Sequence, residues 1–286
     1  MSKLKKALEK ARAAREGAAG ISPPDRSPEG PDGTPPVPRA KQHGPKPDRR
    51  GEIDIQYSQT RVATVDRKVL RRNRIISLFP ERKTAEQIKK LRTQILSMFQ
   101  ELDGNTLLVT SPNPGEGKTF TCINLGVSIA QEFDRTVLLV DGDLKKPHPR
   151  HRDFAADFFG VKVEKGLSDY LQKRAELPEL LINPGIEKLT FLPAGKPLVN
   201  SAELLGSPRM EALMADIRER YRPERFIIVD TPALLEWTDA VVLSRFVDGI
   251  LLVVEQEKTA EANLTSCVNL LKGKPIVGAI LNKSRV

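Results

Sequence analysis

Nine residues near the middle of the chain, Ser111 to Thr119 in SPNPGEGKT, combine the groups needed to hold a polyphosphate. Gly115 and Gly117 carry no Cβ, so the backbone there can bend sharply and bring successive N–H groups against anionic oxygens. Lys118 supplies a cation for the β- and γ-phosphates, and the Thr119 hydroxyl supplies a ligand for Mg²⁺. The usual pattern, G-x-x-x-x-G-K-[ST], begins on glycine, whereas Pro112 stands at that position here. Position 112 falls where a strand exits and the cradle has not yet closed, so a fixed φ is tolerable. Taken alone, the loop leaves open a chance Gly-Lys-Thr at a strand-to-helix turn.

Two further segments narrow that alternative. VLLVDGDLKKP places Asp141 and Asp143 after an apolar run, and FIIVDTPALL does the same for Asp230. Either aspartate pattern is commonplace as a helix cap. In an open α/β sheet, however, ligands collect outside the carboxyl ends of the strands. Three strands would then deliver an ammonium, a hydroxyl and three carboxylates to one edge. A magnesium-bound nucleoside triphosphate requires that set.

The elements that must position these groups are short. LLVT (107–110), VLLV (137–140), LTFL (189–192), FIIV (226–229), ILLVV (250–254) and VGAIL (277–281) are apolar runs too brief for helices. Strands buried on both faces have this appearance, which predicts an α/β fold: a three-layer sandwich with a mostly parallel central sheet. Crossovers should be right-handed, while the strand order is not readable from the runs. The helix opening at Lys118 is expected to bury one face made of Phe120, Ile123, Val127, Ala130 and Phe133.

Charge and proline are concentrated at the amino end. Residues 1–50 hold twelve Lys and Arg against six Asp and Glu, a net of +6 out of +9 for the chain, and nine of its 22 prolines. Three regions are expected: a short basic amphipathic helix over 1–17, a disordered Pro-rich basic linker over 18–60, and a P-loop domain over 61–286. With most of the excess charge outside the core, nucleic acid is not an expected partner. Cys122 and Cys267 lie in apolar contexts and read as buried free thiols of a reducing compartment. His148 and His151 lack partners at ligand spacing and read as loop residues. No run reaches the roughly 20 apolar residues of a membrane span, and the amino end has no apolar signal core. The expected location is the cytoplasm, with any membrane contact made through a partner.

SPNPGEGKT, VLLVDGDLKKP and FIIVDTP together resemble the three Walker segments of the bacterial tyrosine kinases of capsule and exopolysaccharide synthesis, of the CpsD/CapB type. GLSDYL (166–171), LPAG (192–195), NSAELLGSPRM (200–210) and LNKS (281–284) extend the likeness over roughly 84–286. In these features the chain most resembles the soluble autokinases of exosortase-linked exopolysaccharide loci. Asn113-Pro114 stands where partitioning ATPases of the same broad group carry their signature lysine region, which favours the kinase branch.

The resemblance implies a tyrosine autokinase using ATP and Mg²⁺. Asn113, Pro114, Gly115, Glu116, Gly117, Lys118, Thr119 and Phe120 would form the nucleotide site. Thr119, Asp141 and Asp230 would hold the metal, and Lys118, Asp141 and Asp143 would be catalytic. Asn282 would contact the adenine, with a strand-end cap as the alternative. Glu86, Lys89 and Arg92 match a family helix that mediates ring-like self-association, with Lys89 replacing an arginine. Their spacing puts them along one side of a helix, where a merely solvated charged face is the other reading. A membrane polysaccharide co-polymerase, or chain-length determinant, is the implied partner.

Two departures qualify the likeness. Lys145 replaces the arginine of the family's Asp-x-Asp-x-Arg, and the four residues after Asn282 contain no tyrosine cluster. Of the three tyrosines, Tyr170 and Tyr221 occupy helical, partly apolar settings, which leaves Tyr57 as the expected acceptor. A nucleotide-switched ATPase without kinase activity, or an ATP-binding scaffold of an export complex, therefore stand as alternatives.

Overall fold

A computed structural model describes residues 60–79, 81, 83–145, 154–219 and 225–284. The expected 1–17 helix, nearly all of the 18–60 linker, Tyr57, His148, His151 and Tyr221 lie outside the described residues. The chain divides into Met1–Arg50 and Gly51–Val286, and the described residues belong to the second unit.

Among the described residues, eight strands form one sheet in the order β1-β4-β5-β3-β6-β2-β7-β8. The six strands expected from apolar runs are β2 (Thr106–Thr110), β3 (Thr136–Asp141), β5 (Leu189–Leu192), β6 (Arg225–Asp230), β7 (Gly249–Glu255) and β8 (Ile276–Asn282). All of their mutual pairings are parallel. The sequence gives no sign of β1 (Arg61–Val62) and β4 (Ile182–Asn183), which are two residues each. So short a strand shows no periodicity, and these two are placed by pairing with each other and with β5.

The runs are uninterrupted because successive side chains point to opposite faces and both faces are covered. Leu107, Val109, Val137, Leu139, Ile228 and Leu251 enter one apolar cluster. Their alternates Leu108, Leu138, Val140, Ile227, Ile250 and Leu252 enter the other. The first face is covered by α2 (Lys83–Glu101) and α3 (Lys118–Ala130), behind α1 (Arg67–Arg72) at the amino end. On the opposite face lie α4 (Leu167–Leu171), α5 (Leu177–Leu180), α6 (Ser201–Leu205), α7 (Pro208–Glu219), α8 (Asp239–Leu243) and α9 (Glu261–Leu270).

The helix after the phosphate loop departs from expectation. It is buried nearly all round, not along one face, because α2 covers the side turned away from the sheet. Phe133, expected on its apolar face, lies beyond the helix end at Ala130 and is 74% exposed. Burial on all sides brings polar groups inside, and they are paired. Asn124 accepts from the Ser77 N–H through Oδ1 at 3.2 Å and donates through Nδ2 to the carbonyls of Arg74 and Phe120.

Candidate nucleotide site

The carboxyl edge of β2, β3 and β6 gathers the chemistry. Parallel strands lie about 4.8 Å apart, so directly opposed residues are close neighbours. Asp230 at the end of β6 is opposed by Val109 of β2 on one side and by Asp141 of β3 on the other. The Gly142 N–H then donates to the Asp230 carbonyl at 2.8 Å, extending the pairing past the last side chains.

Between β2 and α3 the loop turns tightly. Ser111 is fully buried, and its hydroxyl donates to the Asn113 carbonyl at 2.8 Å. The carbonyls of Ser111 and Pro112 accept from the N–H groups of Leu234 and Leu235, in the loop after β6. That explains the proline: the position is held through its carbonyl, so a missing N–H costs nothing. Gly117 caps α3 with φ 102°, a left-handed conformation that costs any residue with a Cβ about 1–2 kcal/mol. A Cβ on Gly117 would also meet Asn282 Nδ2 at 2.1 Å. Lys118 follows as the first residue of α3 and is only 8% exposed.

Electrostatics bind the site together. Asp230 is 1% exposed, and burial pushes its carboxyl up to about 7 against the opposing pull of Lys118 and a hydrogen bond from Thr119. The charge of Asp143 adds to the rise. Cys122, the fifth residue of α3 and fully buried, has its thiol pushed well up by burial and by Asp230 and Asp141. Lys118, Thr119, Asp141, Asp143 and Asp230 thus share one small volume. A buried oxygen of Asp230, Oδ1, has no hydrogen-bond partner there. An orphaned buried carboxylate oxygen beside a threonine hydroxyl and an ammonium fits a hydrated Mg²⁺, which takes one or two protein ligands plus phosphate. Among the described residues no three His, Cys, Asp or Glu side chains could hold a metal by themselves.

Other expected site residues play different parts. Glu116 is 1% exposed and turns its carboxylate inward, where it accepts from the Asn113 N–H at 3.1 Å, Asn113 Nδ2 at 2.8 Å and the Thr259 hydroxyl. Asn263 on α9 donates to Asn113 Oδ1 at 3.0 Å. Asn282 at the end of β8 donates to the Glu116 carbonyl at 2.8 Å, and Lys283 donates to the Gly115 carbonyl at 2.7 Å. The side chains of Asn113, Glu116 and Asn282 therefore brace the loop. Pro114 and Phe120 are half-buried at its rim. Thr259, Asn263 and Glu255, which anchors Lys283 at 3.0 Å, join the site without belonging to any motif that sequence reasoning could single out. Lys283 carries a signal only through its place beside Asn282 in LNKS.

The remaining motif fragments shape a neighbouring cleft. Gly166 packs so tightly that a Cβ would lie 2.3 Å from both the Gly195 nitrogen and the Pro193 carbonyl oxygen. Asp169 accepts from the Gly166 N–H at 3.0 Å and pairs with Arg174 at 3.2 Å. These contacts wall a cavity of about 610 Å³ that opens beside Asp141, with Lys165, Arg174 and Lys196 on its lining. Tyr170 is held structurally: its carbonyl accepts from Arg209 Nε at 2.6 Å, and the guanidinium lies 4.2 Å over its ring.

Glu86, Lys89 and Arg92 lie on α2, away from this edge. Lys89 pairs with Glu86 at 2.6 Å on an exposed face. Arg92 instead turns inward, donating to the Ser128 carbonyl of α3 at 3.0 Å and pairing with Glu132 at 2.6 Å. The three charges expected along one side are split between a surface pair and an interhelix clamp.

No family model matches the chain. Tyrosine-protein kinase etk of Escherichia coli (strain K12) is 33% identical over 205 residues, 71% of this chain. This chain spans only 27% of that longer relative. CapB of Staphylococcus aureus is 29% identical over 206 residues, 71% of this chain and 86% of that protein. The solved kinase domain of VpsO superposes with a TM-score of 0.60 and 31% identity, covering 72% of this chain and all of that domain (100%). Sequence identity and fold both agree with these relatives: the chain belongs to the bacterial tyrosine kinases of capsule and exopolysaccharide systems.

Proposed function

We propose that the chain is a protein-tyrosine autokinase that transfers the γ-phosphoryl group of ATP and so regulates exopolysaccharide or capsule synthesis and export. The observation that carries this reading is the convergence of Lys118 and Thr119 with Asp141, Asp143 and Asp230 at one sheet edge. Phosphoryl transfer demands positioning and charge neutralisation more than covalent help, and this set provides both. Lys118 and the loop N–H groups hold the phosphates. Thr119, Asp141 and Asp230 would hold Mg²⁺, which neutralises charge on the phosphate oxygens when bound. Asp141 and Asp143 are the carboxylates placed to take the proton from a tyrosine hydroxyl, whose pKa is about 10. The bond formed is tyrosine oxygen to γ-phosphorus; the bond broken releases ADP. The cleft beside Asp141 is open enough to admit the acceptor side chain.

The domain order assigned is a basic helix over 1–17, a linker over 18–60 and the kinase domain over 61–286. Tyr57, just ahead of the domain, is the assigned acceptor, presented to another copy of the chain. Self-association uses the Glu86–Lys89 surface of α2, and a membrane polysaccharide co-polymerase links the protein to the envelope. Among the described residues no helix is long and apolar enough to cross a membrane, which suits attachment through such a partner.

The test is incubation of the protein with ATP and Mg²⁺, alone and with the partner's cytoplasmic segment, followed by phosphopeptide mapping. Phosphotyrosine on the wild type and none on Lys118→Ala supports the kinase. Phosphate release without labelled protein would establish a nucleotide-switched ATPase instead, and nucleotide binding with neither would leave a scaffold.

A further inference from the structure

Four carboxylates crowd the catalytic edge, and the kinase chemistry uses three of them. The fourth, Asp239, opens α8 just beyond the loop that follows β6 and has no solvent exposure at all. A buried carboxylate in a structure is held for a reason, because removing it from water is costly unless it is paired. Its partner is Lys145, whose ammonium lies 3.6 Å from Asp239 Oδ1. The same ammonium is 3.4 Å from the Val199 carbonyl and 4.6 Å from the centre of the Trp237 ring. The buried Ser201 hydroxyl lies near the same carboxylate. Lys145 is thus fixed from three directions, with only 13% of its side chain exposed.

What Lys145 holds in turn is the segment bearing Asp143. The Asp143 N–H donates to Asp141 Oδ1 at 3.2 Å, and the Lys145 N–H donates to Asp143 Oδ1 at 3.3 Å. The Leu144 carbonyl accepts from the Leu198 N–H at 2.8 Å, so the segment is also tied to the strand-exit loop after β5. The first two links are backbone N–H groups, each orienting the carboxylate two residues before it. An anchored Lys145 therefore sets where the Asp143 carboxylate points.

We infer that Asp239 is a positioning residue for phosphoryl transfer, acting through Lys145 to hold Asp143 in its productive orientation. The inference rests on the assignment of Asp143 to the reaction. A lysine in this place would otherwise be drawn to the bound triphosphate or to Asp143 itself, and either move would misdirect the carboxylate. Asp239 gives the ammonium a fixed partner 3.6 Å away that competes with both. The charges of Lys145 and Asp143 are both felt at Asp239, so these three groups form one electrostatic unit.

The experiment compares wild type, Asp239→Asn, Lys145→Met and the double variant in phosphotyrosine formation, ATP hydrolysis, thermal stability and tryptophan emission. Trp237 is the sole tryptophan, so its emission reports directly on the ammonium over its ring. Loss of an outer partner of a catalytic centre lowers turnover by about 10- to 100-fold. Asp239→Asn should do so with KM for ATP changed less than about threefold, since a loss confined to the chemical step falls on kcat. Lys145→Met should match it, and the double variant should be no worse than either single one, because both remove the same link. Asp239→Asn and Lys145→Met should both shift the Trp237 emission.

Unchanged kcat in folded Asp239→Asn, a loss confined to KM, or additive losses in the double variant would each overturn the proposal. If Asp239→Asn fails to fold, Lys145→Met and its emission decide the matter by the same criteria. A wild type that hydrolyses ATP without labelling tyrosine overturns the kinase reading alone. Asp239 is then judged on the hydrolysis ratio, since attack by water uses the same Asp143. A wild type with neither activity overturns both.

Discussion

Asp141 and Asp230 stand directly opposite one another at the ends of neighbouring parallel strands, although 89 positions separate them in the chain. Neither strand could bring them together alone; the register of β3 against β6 does. Lys118 and Thr119 reach the same place from the third strand's loop and relieve the charge of Asp230.

Replacing Lys118 by alanine removes the ammonium that faces the triphosphate and Asp230. Turnover should fall by about 10²- to 10³-fold, the usual loss on removing one preorganised electrostatic group. Circular dichroism should remain that of the wild type, since the helix N-terminus keeps its Gly117 cap.

The raised carboxyl of Asp230 makes a signed prediction about pH. Its folded-state value of about 7 exceeds its unfolded value of 3.8, so between these limits the folded chain holds a proton that the unfolded chain has lost. Stability of the nucleotide-free protein should then fall as pH rises from 4 to 7. Asp230→Asn should flatten that fall and raise the melting temperature at pH 8, by about 2–4 °C for each kcal/mol recovered. Melting curves across the range in both proteins check this; a wild type that grows more stable from pH 4 to 7, relative to the variant, contradicts it.

Gly117→Ala should abolish tight nucleotide binding for two separable reasons, the positive φ and the 2.1 Å approach of Asn282 Nδ2. Gly117→Ala with Asn282→Ala removes the clash but not the strain of about 1–2 kcal/mol. Titration calorimetry should place the double variant between the single variant and wild type.

Thr259→Val removes one of the donors to the buried Glu116 carboxylate. An under-satisfied buried acceptor costs about 1–3 kcal/mol, which chemical denaturation should detect. Because Glu116 supports the phosphate loop, nucleotide affinity should weaken in parallel.

Arg92 and the Glu86–Lys89 pair should separate under mutation. Arg92→Ala breaks the clamp between α2 and α3 and should lower the melting temperature. Glu86→Ala and Lys89→Ala, at a solvent-exposed pair screened by water and salt, should leave stability nearly unchanged. Sedimentation velocity should show self-association altered by the latter two. A stable Arg92→Ala protein would refute the inward clamp.

The phosphate loop, the three aspartates and six of the strands are legible in the amino-acid sequence. Apolar runs, glycine placement and a strand-terminal aspartate are written in consecutive residues, and local sterics and burial translate them directly. Pro112 is legible as an oddity, but its tolerance comes from carbonyl contacts to Leu234 and Leu235 that lie far along the chain. Arg92 shows the limit of helical spacing as a guide. Spacing puts it on a side of α2 with Glu86 and Lys89, and a long side chain reaches across to Ser128 instead.

By itself, then, the sequence determined which segments are buried strands and which residues could meet a phosphate. A run such as FIIVD specifies burial and the direction of its side chains, without naming a neighbour. Strand order, the edge strands β1 and β4, the Glu116–Thr259 brace between residues 143 positions apart, and the Lys145–Asp239 pair were decided only by tertiary structure. The physical reason is that each depends on which strand lies beside which, and the free energy that selects the neighbour comes from the whole packed sheet.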